Sequence, residues 1–191
     1  MTRDEIIAIL KEAEVLLEGH FLLTSGRHSA KYLQCAKIFR NTKYAEPLCK
    51  ELADKYKDAG IEIVIGPAMG AVQMAYEVSR HLNCENFFTE REDGKMTLRR
   101  GFTIKEGQKV LLVEDVVTTG GSIKEVLELV KGMGADVVGI GSIVDRTGGK
   151  IDFGVPFNAV LSMEVESYDR DNCPICKKDV PLVKPGSRKI K

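Results

Sequence analysis

Two periods of apolar and polar positions run along the chain, and the changes between them mark the elements. Ile6, Ile7, Leu10, Ala13, Leu16 and Leu17 recur at helical spacing. They predict an amphipathic helix over residues 4–18, capped by Thr2 or Asp4 and closed by Gly19. Residues 21–23 read as a short strand before Thr24, Ser25 and Gly26, and residues 31–39 as extended chain. The helical period returns over 44–56, with Gly60 ending that region, and again over 71–81 and 123–133. Residues 61–65, 110–113 and 137–144 are unbroken apolar runs, the pattern of strands buried on both faces. Residues 86–88 and 159–163 are further short strands. Residues 89–109 are charged and weakly patterned, which predicts a mobile loop or an exposed hairpin. The stretch from Asp169 onward reads as a polar tail rich in Lys and Pro.

Strands alternating with helices predict an α/β fold with a parallel sheet. In such sheets ligands bind beyond the C-terminal ends of the strands. Four segments then converge on one edge: residues 66–70, 89–109, 114–122 and 145–146.

The stretch VLLVEDVVTTGGS, residues 110–122, carries the chemistry. A buried strand ends in Glu114 and Asp115. After Val116 and Val117 come Thr118, Thr119, Gly120, Gly121 and Ser122, and the helical period starts at Ile123. Free N–H groups at a helix N-terminus attract an anion, and the helix dipole adds to the attraction. Glycines let the backbone approach closely, and hydroxyls add donors. The acids suit ribose hydroxyls, or Mg²⁺ held through water, but not a phosphate directly. A G-x-x-x-x-G-K-[ST] loop is absent, and the other glycine-rich segments do not give G-x-G-x-x-G after a strand. P-loop NTPases and dinucleotide-binding proteins are therefore disfavoured.

A chain of 191 residues fits one domain with an ample core. Its formal net charge of zero gives no bulk attraction to nucleic acid or to an anionic membrane. Residues 1–5 start polar without a signal-peptide core, so a cytoplasmic protein is expected. The five cysteines, Cys35, Cys49, Cys84, Cys173 and Cys176, do not read as a disulfide framework. Cys173 and Cys176 form one C-x-x-C pair. A structural zinc site needs four ligands, so the pair reads as reduced thiols in a polar tail. His20, His28 and His81 show no partner pattern and receive no role, and no metal ligand is assigned to the chain.

Residues 110–122 resemble the 5-phosphoribosyl 1-diphosphate (PRPP) motif of type I phosphoribosyltransferases. FLLTSGRHSAKYL near the N-terminus, IGPAMGA, LRRGF and VDR extend the resemblance, in order and spacing, to the orotate phosphoribosyltransferases. It covers most of the chain up to about Val165. The resemblance implies a type I phosphoribosyltransferase-like parallel sheet core flanked by helices, with a small hood. One domain over 1–191 would have its core at about 36–154 and its hood at about 1–35 and 155–191. The implied reaction makes orotidine 5′-monophosphate and pyrophosphate from PRPP and orotate with Mg²⁺. A homodimer is implied, in which a mobile loop closes over the neighbouring subunit's site, with no nucleic-acid or membrane partner.

By the same resemblance, Glu114 and Asp115 contact the ribose, and Val116, Val117, Thr118, Thr119, Gly120, Gly121 and Ser122 hold the 5′-phosphate. Residues 66–70 lie near the pyrophosphate. Thr118 and Arg146 contact orotate, and Ser25, Gly26 and Arg27, with Lys31 and Tyr32 nearby, line the base pocket. Arg91 and Lys95 contact PRPP from the loop, with Lys95 and Asp115 as the catalytic pair. The sequence departs from the usual family pattern in having Glu114 for Asp and Thr24 for Lys. It also has no lysine in residues 66–70 and no histidine in the loop. Arg99 and Arg100 are candidates to replace the missing charge. A purine or xanthine phosphoribosyltransferase and a PRPP-sensing nucleic-acid-binding regulator are the alternatives.

Overall fold

The computed structural model describes residues 1–23, 25–178 and 180–185, so Thr24 and the end of the expected hood lie outside the described residues. In chain order the elements are α1 (Arg3–Glu12), β1 (Leu16–Leu22), β2 (His28–Leu33), α2 (Thr42–Asp54), β3 (Ile63–Pro67) and α3 (Val72–Leu82). Then follow β4 (Glu85–Glu92), β5 (Lys95–Leu98), β6 (Lys109–Val117), α4 (Gly121–Gly132), β7 (Asp136–Asp145) and β8 (Phe157–Ser162).

Six strands form one sheet in the order β5-β4-β3-β6-β7-β8, parallel throughout except for the antiparallel edge strand β5. This is the expected α/β architecture. The unbroken apolar runs occupy its centre because both faces are covered. Leu111, Val113 and Ile143 pack under Leu48, Leu52, Met74 and Val78 of α2 and α3. Val110, Leu112 and Ile140 turn the other way, under Ile123, Val126 and Val130 of α4. Alternate residues of one strand thus feed two separate cores. Gly141 is where α2 comes closest to β7: a Cβ there would sit 2.8 Å from the Leu52 side chain.

The expected helix over 4–18 stops early. Thr2 caps α1 in a reciprocal capping box with Glu5, but Glu14 takes a left-handed φ of 55° and turns the chain back. The Val15 N–H then bonds to the Leu10 carbonyl at 2.8 Å. Leu16 and Leu17 continue the helical period in sequence yet pair with Leu33 and Tyr32 in the β1–β2 hairpin. Residues 31–39 are not extended throughout either. β2 ends at Leu33, and a 3₁₀ helix runs over Cys35–Arg40. The 89–109 segment takes its hairpin alternative, β4–β5, with Glu92 opposite Lys95 at the tip.

The described part of the tail is not a loose polar segment. Tyr168 bridges to His28 and Val183 to Phe21, so the chain lies along both strands of the hairpin. Cys173 in this stretch is only 1% exposed. Among the described residues, no helix is long and apolar enough to cross a membrane.

Tyr56 ties α2's end to the sheet. Its buried hydroxyl donates to the Ile140 carbonyl at 2.6 Å and accepts from the Asn158 amide at 3.1 Å. Tyr56→Phe leaves both groups short of a partner, at a cost of about 1–3 kcal/mol. In a chain of this size, the melting temperature should fall by roughly 3–10 °C. A shift under about 1 °C in thermal denaturation would mean that water replaces the hydroxyl.

Candidate functional site

β6 carries its apolar run straight into the two acids. The strand stays paired with β7 through Glu114, Val116 and Val117, which fixes the acids at the sheet's C-terminal edge. Asp115 is 9% exposed, and its Oδ1 accepts the Val116 N–H at 2.9 Å. The 66–70 loop closes over it: a Cβ at Gly70 would lie 3.2 Å from the carboxylate. Burial, aided by the neighbouring Asp115 charge, pushes the Glu114 carboxyl up to about 8. Burial also raises Asp115, against the N–H bond that favours its ionised form.

The turn after β6 has the opposite polarity. Thr118 and Thr119 are exposed, and Gly120 begins α4 with a φ of 73°. A side chain at 120 would be strained there and would meet Ile151 at 2.5 Å and Phe153 at 2.9 Å. No side chain caps α4. The backbone N–H groups from Thr118 to Ser122 have no protein acceptor among the described residues. Acids and free amides therefore line one cavity of about 410 Å³, formed by residues 114–123 with Arg91 and Glu125.

The four segments expected at this edge do meet there. After β7, the Arg146 N–H bonds to the Val117 carbonyl at 2.9 Å, joining the two turns. Asp145, which sequence reasoning left without a task, shapes this corner. Its carboxylate accepts from the Thr147 N–H and hydroxyl, both at 2.7 Å, and from the Gly149 N–H and Ser162 hydroxyl, both at 2.8 Å. Burial would raise its pKa, but these donors outweigh it and hold the carboxyl low. The Arg146 side chain is half-buried near Tyr32 and Cys35, and its Nε is buried with no partner. Burial lowers its pKa, so the cation is short of solvation.

The loop cations divide into two groups. Arg91 lines the cavity but is held by both oxygens of Glu125 at 2.9 Å and by the Gly94 carbonyl. Arg99 pairs with Glu92, and Arg100 is forked onto Glu90. Lys95 stands exposed at the hairpin tip, outside the cavity lining, with no ion pair among the described residues. Glu125 was missed from sequence because it lies on the polar face of an ordinary amphipathic helix. Arg27 is engaged by Ser167 and Asp169.

Glu114 makes the site's cost depend on pH. With a folded pKa near 8, the group contributes stability below the ordinary carboxylate pKa, and that contribution is lost as pH rises through 8. Between about pH 5 and pH 9 the wild-type melting temperature should fall relative to that of Glu114→Gln. A constant difference across that range would show that Glu114 ionises normally.

Residues 37–153 match the phosphoribosyl transferase domain family. Over its full length the chain is 54% identical to the orotate phosphoribosyltransferase of Caldicellulosiruptor saccharolyticus, all of which is covered. It is 57% identical over 190 residues to that of Thermoanaerobacter sp. (strain X514), with both chains covered completely. Among solved structures, the orotate phosphoribosyltransferase of Aeropyrum pernix superposes with a TM-score of 0.71 at 26% identity. That match covers 83% of this chain and 93% of the other.

Proposed function

The chain belongs to the orotate phosphoribosyltransferase family, and we propose that it transfers the phosphoribosyl group of PRPP to orotate, releasing pyrophosphate. The observation that carries this reading is the run of free amides from Thr118 to Ser122 directly after two buried acids. A ligand with sugar hydroxyls at one end and a phosphate at the other matches both polarities. Val116, Val117, Thr118, Thr119, Gly120, Gly121 and Ser122 receive the 5′-phosphate. Glu114 and Asp115 accept hydrogen bonds from the ribose hydroxyls, which favours their ionised forms.

Arg146 sets the choice of base. Its desolvated guanidinium, with an unpartnered Nε, fits the orotate carboxylate, and Thr118 adds a hydroxyl nearby. Purines carry no such carboxylate. The zero net charge speaks against the nucleic-acid-binding alternative and against a membrane partner.

The displacement builds positive charge on the ribose and negative charge on the departing pyrophosphate. Orotate is already acidic, so positioning and exclusion of water matter more than a strong base. In this reading Asp115 sits by the ribose, where its negative charge stabilises the developing cation. The oxygen donors of Glu114 and Asp115 fit Mg²⁺ held through water, and the ion, when bound, offsets pyrophosphate charge. Lys95, the hairpin cation without an acid partner, meets the leaving group after closure. Because it lies outside its own subunit's cavity lining, we assign it to the site of a second copy in a homodimer. Arg91 remains in its own cavity and joins PRPP there.

Incubated with PRPP, Mg²⁺ and a panel of bases, the protein should convert orotate far faster than adenine, guanine, hypoxanthine or xanthine. Turnover of a purine with none of orotate would reject the reading. Arg146→Ala removes a charged hydrogen bond of about 1.5–3 kcal/mol, so orotate KM should rise roughly tenfold to hundredfold with little change for PRPP. An unchanged orotate KM takes Arg146 out of the site.

Lys95→Ala should lower kcat more than PRPP affinity, because its contact strengthens as charge develops. Pairing a Lys95→Ala subunit with an Asp115→Asn subunit tests the cross-subunit assignment. A loop acting across the interface leaves one site with both lesions and one with neither, restoring about half the wild-type activity. No recovery means that each loop serves its own subunit.

A further inference from the structure

The three histidines and the C-x-x-C pair take no part in the reaction above, yet two histidines and both thiols meet in one place. His20 on β1 and His28 on β2 put their rings 4.8 Å apart, between centroids. The C-terminal chain arches over them and brings in Cys173 and Cys176. The four ligand atoms all lie within 4.8 Å of one another. We infer that His20, His28, Cys173 and Cys176 form a structural zinc site that fastens the C-terminal segment to the β1–β2 hairpin.

The distances have the dimensions of a coordination sphere. Bonds of about 2.0–2.1 Å to nitrogen and 2.3 Å to sulfur give tetrahedral edges of about 3.4 Å between nitrogens and 3.6 Å between nitrogen and sulfur. His20 Nε2 lies 2.9 Å from His28 Nδ1 and 3.6 Å from each sulfur. Cys176 Sγ lies 3.2 Å from His28 Nδ1. Of these four edges two match and two are shorter by a few tenths of an ångström, and the remaining two lie within 4.8 Å.

Hydrogen bonding alone does not account for the cluster. His20 Nδ1 is 2.8 Å from the Val180 carbonyl, which only accepts, so that nitrogen carries the proton. In the neutral ring, Nε2 is then a bare lone pair. Three groups crowd it, His28 Nδ1 and the two sulfurs, and one lone pair satisfies one donor. A cation at the centre uses that lone pair and the other three ligand atoms at once. The Val180 carbonyl also fixes the tautomer and ring orientation, as partners of metal-bound histidines commonly do.

Ligand type and burial select the metal and its role. Two thiolates and two imidazoles in a tetrahedron suit zinc, and their two negative charges cancel those of the ion. Both thiol protons pass to solvent when the metal binds. His20 and His28 are each 3% exposed and Cys173 1%, while Cys176 is partly exposed, so three of the four ligands are closed to solvent. Four protein ligands leave no open position, which makes the site structural rather than catalytic.

The surrounding backbone shows what the metal holds. Tyr168 exchanges both backbone hydrogen bonds with His28, each 2.8 Å. Val183 donates to the His20 carbonyl and accepts from the Leu22 N–H, again at 2.8 Å. The segment is thus tied on both sides of the two cysteines to the strands that carry the histidines. The metal closes the arch between those ties.

The test is metal content of the full-length protein, produced without an affinity tag and kept reduced. Elemental analysis should find close to one zinc per chain. After removal of zinc, Co²⁺ should produce the visible absorption of a tetrahedral thiolate site, and added Zn²⁺ should abolish it. The zinc-free chain should melt several degrees lower and recover on reloading. Cys176→Ser and His28→Ala should lose the metal and the cobalt spectrum, whereas Cys84→Ser, outside the cluster, should keep both. Wild-type protein with under about a tenth of a zinc per chain and no cobalt spectrum would overturn the assignment. A Cys173–Cys176 disulfide in the purified chain, or full zinc retention by both cluster variants, would overturn it as well. The wild-type measurements decide the matter even where a variant fails to fold.

Discussion

Two adjacent carboxylates at the buried end of β6 impose the constraint around which the site is built. Leu111, Leu112 and Val113 are wholly buried, and the next two residues are acids. Removing a charge from water is costly unless partners replace the water. The chain supplies little relief: backbone N–H groups for Asp115 and a glycine at position 70 against its carboxylate, with no ion pair to either acid among the described residues. The result is a pair held towards its protonated forms, with Glu114 near 8. Such a pair gains most from a ligand that brings hydroxyl donors. The amides that follow are deficient in the opposite sense, having donors and no acceptor. Together they match the two ends of the sugar phosphate proposed to bind there.

The cations are divided by the same logic. Arg91, Arg99 and Arg100 are each neutralised by an acid of the hairpin or of α4, which gives a polar edge hairpin its shape. Exposed pairs of this kind contribute little stability singly, about 0–1 kcal/mol, but they orient the strands. Lys95 and Arg146 have no such partner among the described residues. Lys95 is exposed, so its charge stays hydrated. Arg146 is half-buried, and its position depends on Asp145, whose four donors make a rigid corner at the end of β7. The cation expected at the leaving group sits on a hairpin tip, and the one expected at the base sits on a fixed turn. That division fits a reaction in which the base must be oriented before the loop closes.

What could be read from the sequence follows from the range of the forces involved. The sheet centre and the 110–122 site were legible because a strand buried on both faces must be continuously apolar, and because a β-turn-helix joint is local. The end of α1 was not. Leu16 and Leu17 keep helical spacing, and only the left-handed Glu14, stabilised by the hairpin beyond it, ends the helix. β4 outran its apolar core of 86–88 because backbone pairing with the edge strand β5 carries it through Thr89, Glu90 and Arg91 without further apolar residues. The His–Cys cluster was invisible for a different reason. His20 and Cys173 are 153 positions apart, and no periodicity links them. Only the return of the chain end over the hairpin brings them into contact.

That return bears on catalysis. An isolated two-stranded hairpin is marginal in water, and β1–β2 is not part of the main sheet. Yet β2 carries Tyr32, which lies near Arg146, the residue proposed to meet the base. A reaction driven by positioning rather than by acid–base chemistry tolerates little drift there, since small misplacements of a reacting group cost rate steeply. The hairpin gains its rigidity from residues far along the chain: Ser167 and Asp169 hold Arg27, Tyr168 pairs with His28, and the two cysteines meet the two histidines. The first and last parts of the chain therefore form one structural unit over the sheet. Its precision is set by the closure of the C-terminal arch, at some remove from the groups that touch substrate.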